Sequence, residues 1–404
     1  MPLVSELELP EFDYTDPELR GERFHRVMRA LRAQHWIAVA PLGYFVLDRE
    51  AVHFFLRHRG AVFPARMLAE MFEVHDGPLH EEIERNILHI DGDDHRRLRN
   101  LVNPAFTPRA ADRYRPAMRH NLERLFDAVE AAGSCEFVSA FARPYPSLMI
   151  ATVMGAPLED AERLGEWSGW IQRQFSADLL EQRPKIEGAV AEFYEWADAL
   201  LARRRAAPGD DLISTLVAAE EDGDRLSDVE LVNLVLNVLV GGVDTTQSQL
   251  SHAIALLATH PEQWTLLVND PGLAPQAVEE VLRYQPIVPF TARVTLEDVE
   301  YRGVTFPEGT VVMVSAFDGN RDAGLWPDPE GFDITRKPGG PRTLTFGTGI
   351  HNCLGANLAR AELEEALAFL ARRMPDLELA ADPVHDSING IYGIEDLRIR
   401  FGAA

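Results

Sequence analysis

The chain has 404 residues, 46% of them hydrophobic, which is enough for a large core, and a formal net charge of -25 at pH 7. So acidic a chain repels nucleic-acid phosphates and anionic lipid, and neither is expected as a general partner. Its two cysteines, Cys135 and Cys353, exclude a disulfide framework, are too few for a zinc or iron–sulfur site of their own, and point by default to a reducing cytoplasm.

The first residues are acidic and broken by Pro2, Pro10 and Pro17, with no basic start and no apolar run, so no signal peptide is expected. His75, His80, His89 and His95 cluster in sequence, but their spacing is irregular, and all except His95 read as loop and surface histidines rather than a metal site. The run Asp91–Gly92–Asp93–Asp94 is an acidic helix start, and it puts His95 and Arg99, four apart, on one helical face. Cys135 reads as an inert, partly buried thiol. The breakers in Pro208–Gly209–Asp210–Asp211 and Glu221–Asp222–Gly223–Asp224 mark loops.

Ser227 and Glu230 have capping-box spacing, and the helical pattern after them runs to about His260, where Pro261 opens the next element. About 32 residues make a helix of roughly 48 Å, long enough to cross a domain. Gly241–Gly242 weaken its middle by about 1 kcal/mol each. Its most apolar stretch, Leu231 to Val243, is interrupted by Asn233 and Asn237 and is too short for a span of roughly 20 residues, so no membrane anchor is expected.

A second helix is predicted from Pro275 to Tyr284, stopping before Pro286, with Glu280 and Arg283 on one face. Arg293 to Ser315 then shows short β-branched runs split by Arg302–Gly303 and Pro307–Glu308–Gly309, a small β meander. Leu354 to Arg373 is helical again. The pattern predicts a mainly α fold with a small β region, as one domain over residues 1–404.

The strongest chemical signal lies between the meander and that last helix: Phe346–Gly347–Thr348–Gly349–Ile350–His351–Asn352–Cys353–Leu354–Gly355. Its glycines permit turns and the close approach of a flat cofactor, and a helix beginning beside Cys353 favours the thiolate, the form that ligates metal. Read alone, a cysteine in a Gly-rich turn is more often a buried structural thiol. A dinucleotide loop is excluded because its third glycine would stand at Asn352.

The segment resembles the cysteine loop of the cytochromes P450, F-x-x-G-x-x-x-C-x-G, with Phe346, Gly349, Cys353 and Gly355 in place. The resemblance runs from about residue 90 to 360, with motifs in the family's order. It implies the cytochrome P450 fold, haem b held through the sulfur of Cys353, and Phe346, Gly241 and Gly355 against the cofactor. Glu280 and Arg283, which alone would read as a weak surface pair, match the family's E-x-x-R pair. Arg336 matches the third member of that structural network. His95, Arg99, Arg293 and His351 match haem-propionate contacts. Asp244 and Thr245 match the acid–alcohol pair that delivers protons for oxygen activation; without the resemblance they read equally well as a helix kink with side chains back-bonded to carbonyls.

The activity implied is monooxygenation of an organic substrate. By position in the resembling fold, the pocket draws on Leu239, Val240, Val243, Val288, Pro289, Phe290, Ile391 and Tyr392, mostly apolar, so a small hydrophobic substrate is expected. Electrons would come from a separate ferredoxin and its reductase, docking on basic residues such as Arg336, Lys337 and Arg342. Three alternatives stay open at this point: a haem sensor, which has no need of Asp244 and Thr245; a peroxide-using enzyme, expected to lack them; and a non-oxygenating haem enzyme.

Overall fold

In a computed structural model, which describes residues 1–176, 178–221, 224–337, 340 and 342–402, alternation along short strands builds a five-stranded sheet. Ile37–Ala40 and Gly43–Val46 form a hairpin. Val311–Ser315 lies parallel to the second of these and antiparallel to Phe290–Thr295, whose other edge pairs with Ala61–Val62. The register sets Val46 beside Val314 and Phe45 beside Met313. Successive side chains point to opposite faces, so each face has its own core. Val46, Val312 and Val314 pack with Phe55 and Phe306; Phe45 and Met313 pack with Phe24, Phe290 and Tyr392.

The described residues fall into two compact units. This sheet belongs to the first, made of Met1–Pro64, Glu279–Cys353 and His385–Gly393. The predicted meander is present, extended by a hairpin of Val299–Tyr301 with Val304–Phe306. Its two-residue turn, Arg302 and Gly303, has positive φ at both positions, the geometry that matches strand twist. The Ile37–Val46 hairpin leaves no clear pattern in the sequence, because its strands are only four residues each.

The second unit, Ala65–Val278, Leu354–Val384 and Ile394–Ala404, is mainly helical. Pro144–Met154 is apolar nearly all round and is buried accordingly. The capping box at Ser227 and Glu230 is formed, and helix follows it as predicted, but in two segments, Asp228–Gly242 and Asp244–Thr259, parted at Val243. Taken as one run, Asp228–Thr259 is long and apolar enough to cross a membrane, a correction to the shorter span expected; 56% of its most apolar window is buried, as in a core helix.

Smaller corrections concern element ends. The last long helix is Ala356–Arg373, so Cys353 precedes it by a turn of chain rather than opening it. Pro208–Asp211 is a loop as expected. Around the second expected loop, Glu220–Glu221 pairs with Asp224–Arg225 as a short hairpin, while Asp222 and Gly223 lie outside the described residues.

Candidate haem-thiolate site

Cys353 is an exposed cysteine. Its backbone N–H donates to the carbonyl of Phe346 (2.8 Å), which closes the loop. The Asn352 amide donates to the carbonyls of Phe346 and Gly347, both at 3.1 Å, and so stiffens it from inside. Gly349 has φ +78, and a Cβ there would stand 3.0 Å from the Leu56 carbonyl, so glycine is required for both conformation and space. A Cβ at Gly355 would meet nothing within 4 Å.

Behind this loop is a buried polar network. Arg283 makes two bonds to Glu280, Nε to Oε2 and Nη2 to Oε1, each 2.7 Å, and both side chains are 2% exposed. The remaining donors of Arg283 reach the carbonyls of Pro329 (2.8 Å), Gly331 (2.7 Å) and Asn320 (3.3 Å). Arg336 joins through Nε to Glu280 Oε1 (3.0 Å) and through its other nitrogens to carbonyls of Pro327, Asp328 and Gly331. Two residues not singled out in the sequence carry the network to the cysteine loop. Asn320 accepts from the Leu344 N–H (2.6 Å) and donates to the Thr345 hydroxyl (2.9 Å), which donates to the Leu282 carbonyl (2.6 Å). With its donors so committed, Arg336 is a structural cation and a poor member of a docking face; Lys337 and Arg342 are exposed.

In the helical unit, the two-segment helix leaves Gly241 exposed and Asn237, Val238, Gly242, Asp244 and Thr245 half-buried within an otherwise buried run. A Cβ at Gly241 would meet nothing within 4 Å, whereas one at Gly242 would press on Ile150 at 2.8 Å. The Thr245 hydroxyl donates to the Gly241 carbonyl at 2.6 Å, the back-bonding that loosens a helix at such a point. Asp244 Oδ2 accepts from the hydroxyl of Ser168, on helix Ala161–Gln172, at 2.5 Å. Burial pushes the Asp244 carboxyl up to about 6, against the opposing pull of the Ser168 hydrogen bond and the Arg143 charge. Beside it, Thr246 engages Glu362 of helix Ala356–Arg373, whose carboxyl burial pushes up to about 8.

His95 and Arg99 lie on helix Gly92–Val102 in the helical unit, the first buried and the second partly so. In the sheet unit, Arg293 is buried on strand Phe290–Thr295 and donates to the Ala292 carbonyl (2.8 Å), while His351 ends a short 3₁₀ turn, Gly349–His351. Of the expected pocket residues, Leu239 and Val243 are core side chains of the helical unit. Tyr392 is also a packing residue: it is buried against Phe24, and its hydroxyl accepts from the Gly21 N–H at 2.6 Å. Phe290 packs in the same sheet-face core. Val240 is buried, and Val288 and Ile391 are partly exposed. Cys135 lies on strand Ser134–Glu136, its thiol pushed up to about 12 by burial and by Glu136, which accords with an inert thiol.

Among the described residues, no group of three or more His, Cys, Asp or Glu could hold a metal ion. A single exposed sulfur in a loop braced by backbone bonds is a donor set that suits an iron whose other ligands come from a macrocycle. An unobstructed glycine on a helix face, and buried His and Arg side chains, suit a flat cofactor with carboxylates. These residues therefore fit haem.

The Cytochrome P450 family model matches residues 22–265 and 271–375. The chain is 38% identical over 401 residues to luteothin monooxygenase of Streptomyces thioluteus, spanning 98% of this chain and 97% of that protein. It is 38% identical over 302 residues to mycinamicin IV hydroxylase/epoxidase of Micromonospora griseorubida, 74% of this chain and 75% of that one. The crystal structure of CalO2 superposes with a TM-score of 0.91 at 31% identity, covering 98% of this chain and all of that one. The chain belongs to the cytochrome P450 family. It is a haem-containing monooxygenase acting on a small-molecule substrate.

Proposed function

We propose that Cys353 would hold the haem iron through its sulfur and that Asp244 and Thr245 deliver protons during oxygenation of a small, largely hydrophobic molecule. Haem, when bound, supplies the activation of dioxygen. Everything else falls to the chain. Cys353 presents its sulfur from a loop whose shape Phe346, Asn352 and Gly349 maintain. Gly241 and Gly355 leave room for the macrocycle. His95, Arg99, Arg293 and His351 pair with its carboxylates, since buried charge needs partners. Val240, Val288, Pro289 and Ile391 supply apolar surface to the substrate.

The observation that carries the proton-delivery reading is the state of the acid–alcohol pair. The carboxyl of Asp244, raised to about 6, can both hold and release a proton near neutrality. The Thr245 hydroxyl donates its one hydrogen bond to the Gly241 carbonyl, so its oxygen lone pairs are available to accept another. Replacing Thr245 with alanine should uncouple the enzyme, diverting reductant into hydrogen peroxide. Coupling at the wild-type level would remove Thr245 from the relay.

Electrons reach the enzyme from a separate ferredoxin and ferredoxin reductase, with Lys337 and Arg342 on the docking face. The chain works as one domain over 1–404, in the cytoplasm.

A further inference from the structure

Three helices of the helical unit meet at small residues. A Cβ on Gly165 would stand 2.7 Å from the hydroxyl of Ser147, and one on Gly242 would stand 2.8 Å from Ile150 Cδ1. Ser147 and Ile150 both belong to helix Pro144–Met154. Glycines therefore set how closely Ala161–Gln172 and the Asp228–Gly242 segment seat on that helix. Ser168 follows Gly165 by three residues, on the same helical face. Close seating carries its short side chain to Asp244, where Oγ lies 2.5 Å from Oδ2. Ser168 is fully buried, so no water competes for its hydroxyl.

We propose that Ser168 is a positioning residue for Asp244, fixing the rotamer of the proton-carrying carboxyl and stabilising its ionised form. The inference rests on the proton-delivery reading of Asp244. A hydroxyl donating to a carboxylate favours the charged state. Burial alone would drive Asp244 toward a neutral acid that holds its proton too tightly, and the Ser168 bond opposes this. The other groups around Asp244 are accounted for. Arg143, just ahead of helix Pro144–Met154, acts on it by charge at longer range. Glu362, from helix Ala356–Arg373, engages Thr246 at the next turn position. The Asp244 backbone N–H also bonds its own carboxyl, so Ser168 is the side-chain donor that touches it directly, and seating of helix Ala161–Gln172 is the condition for that contact.

Infrared titration of the haem-loaded protein reads the carboxyl itself, without a substrate. The protonated-carboxyl stretch of Asp244 is identified as the band lost in Asp244→Asn. In Ser168→Ala its midpoint should rise by about one pH unit, as expected for losing a hydrogen bond to a charged group, and the band should move to the frequency of a less hydrogen-bonded acid. Ser168→Thr, which keeps a hydroxyl, should restore both. A midpoint and frequency unchanged in Ser168→Ala would overturn the proposal, as would the absence of any band attributable to Asp244. Should Ser168→Ala not fold, Ser168→Cys, with its weaker donor, should move the midpoint in the same direction, and no movement there would count equally against it. The relay reading is tested apart from this by oxygen consumption of Asp244→Asn with a surrogate ferredoxin and reductase. Unaltered pH dependence there would sink the relay while leaving the infrared result on Ser168 intact.

Discussion

Arg283 and Glu280 form a two-point ion pair inside the sheet unit, with both nitrogen–oxygen distances at 2.7 Å and both side chains almost wholly removed from water. Desolvating two charges is expensive, and it is offset here because Arg283 fills its other donor positions with carbonyls and Glu280 also receives Arg336 and the Asp333 N–H (2.9 Å). The pair is a bracket for backbone: it gathers the carbonyls of Asn320, Pro329 and Gly331 around one side chain.

Removing one partner leaves the other charge buried without compensation. Arg283→Leu should destabilise the protein by about 3–5 kcal/mol and release haem during gel filtration. Arg283→Lys should not rescue it, because an ammonium cannot reproduce the planar fork that spans Glu280 and the carbonyls. Thermal midpoint and haem content measure both effects, and a wild-type midpoint in Arg283→Leu would show that the bracket is dispensable.

Asn320→Ala tests the link from that bracket to the cysteine loop while sparing the ion pair. It removes the acceptor for the Leu344 N–H and the donor to Thr345. Stability should fall by about 1–3 kcal/mol, the cost of leaving a buried N–H unmet. Amide hydrogen exchange at Leu344 should quicken. Unchanged exchange there would mean that another group holds the loop.

Glu82 supplies a pH test of stability away from the haem residues. It is wholly buried in the helical unit, Asn86 donates to its Oε1 (2.5 Å), and its Oε2 has no bond in the structure. The Gln174 amide draws the pKa down without completing a hydrogen bond, and burial, the larger effect, pushes it up to about 7. The folded state therefore keeps a proton that the unfolded state, with an ordinary carboxyl near 4.5, has lost. Stability is fully present below about pH 4.5 and declines as pH rises through 7, by roughly 3 kcal/mol in all. Glu82→Gln should raise the thermal midpoint at pH 8 and change it little at pH 5. An equal effect at both values would show that Glu82 does not titrate on folding.

Lys337 is one of two lysines in the chain and is exposed in the sheet unit. Lys337→Glu should weaken ferredoxin binding several-fold at low salt and much less at high salt, since exposed charges are screened. Affinity unchanged at low salt would remove it from the docking face.

What the sequence disclosed, and what it did not, divides along physical lines. Local rules held: the Ser227–Glu230 capping box, the Arg302–Gly303 turn and the three-residue spacing of Glu280 and Arg283 are each complete within a few residues. Glu280 and Arg283 nevertheless read, on spacing alone, as a surface pair; their burial depends on Asn320, Pro329 and Gly331, remote in sequence. The break at Val243 also had local causes, in Gly241–Gly242 and in the Thr245 back-bond to the Gly241 carbonyl. Ser168 and Asn320 carried no sequence signal, because each acts on a partner 76 or 24 residues away. The Gly43–Val46 strand was missed for a related reason: its parallel neighbour, Val311–Ser315, is supplied by chain folded from far downstream.

The central claim is that Cys353 ligates the haem iron, and the absorption spectrum of the reduced protein under carbon monoxide tests it most directly. Wild type should show the strongly red-shifted Soret band of thiolate-ligated haem, and Cys353→His should lose it while retaining haem. A wild-type band at the position of ordinary histidine-ligated haem, or a red-shifted band that survives in Cys353→His, would contradict the assignment.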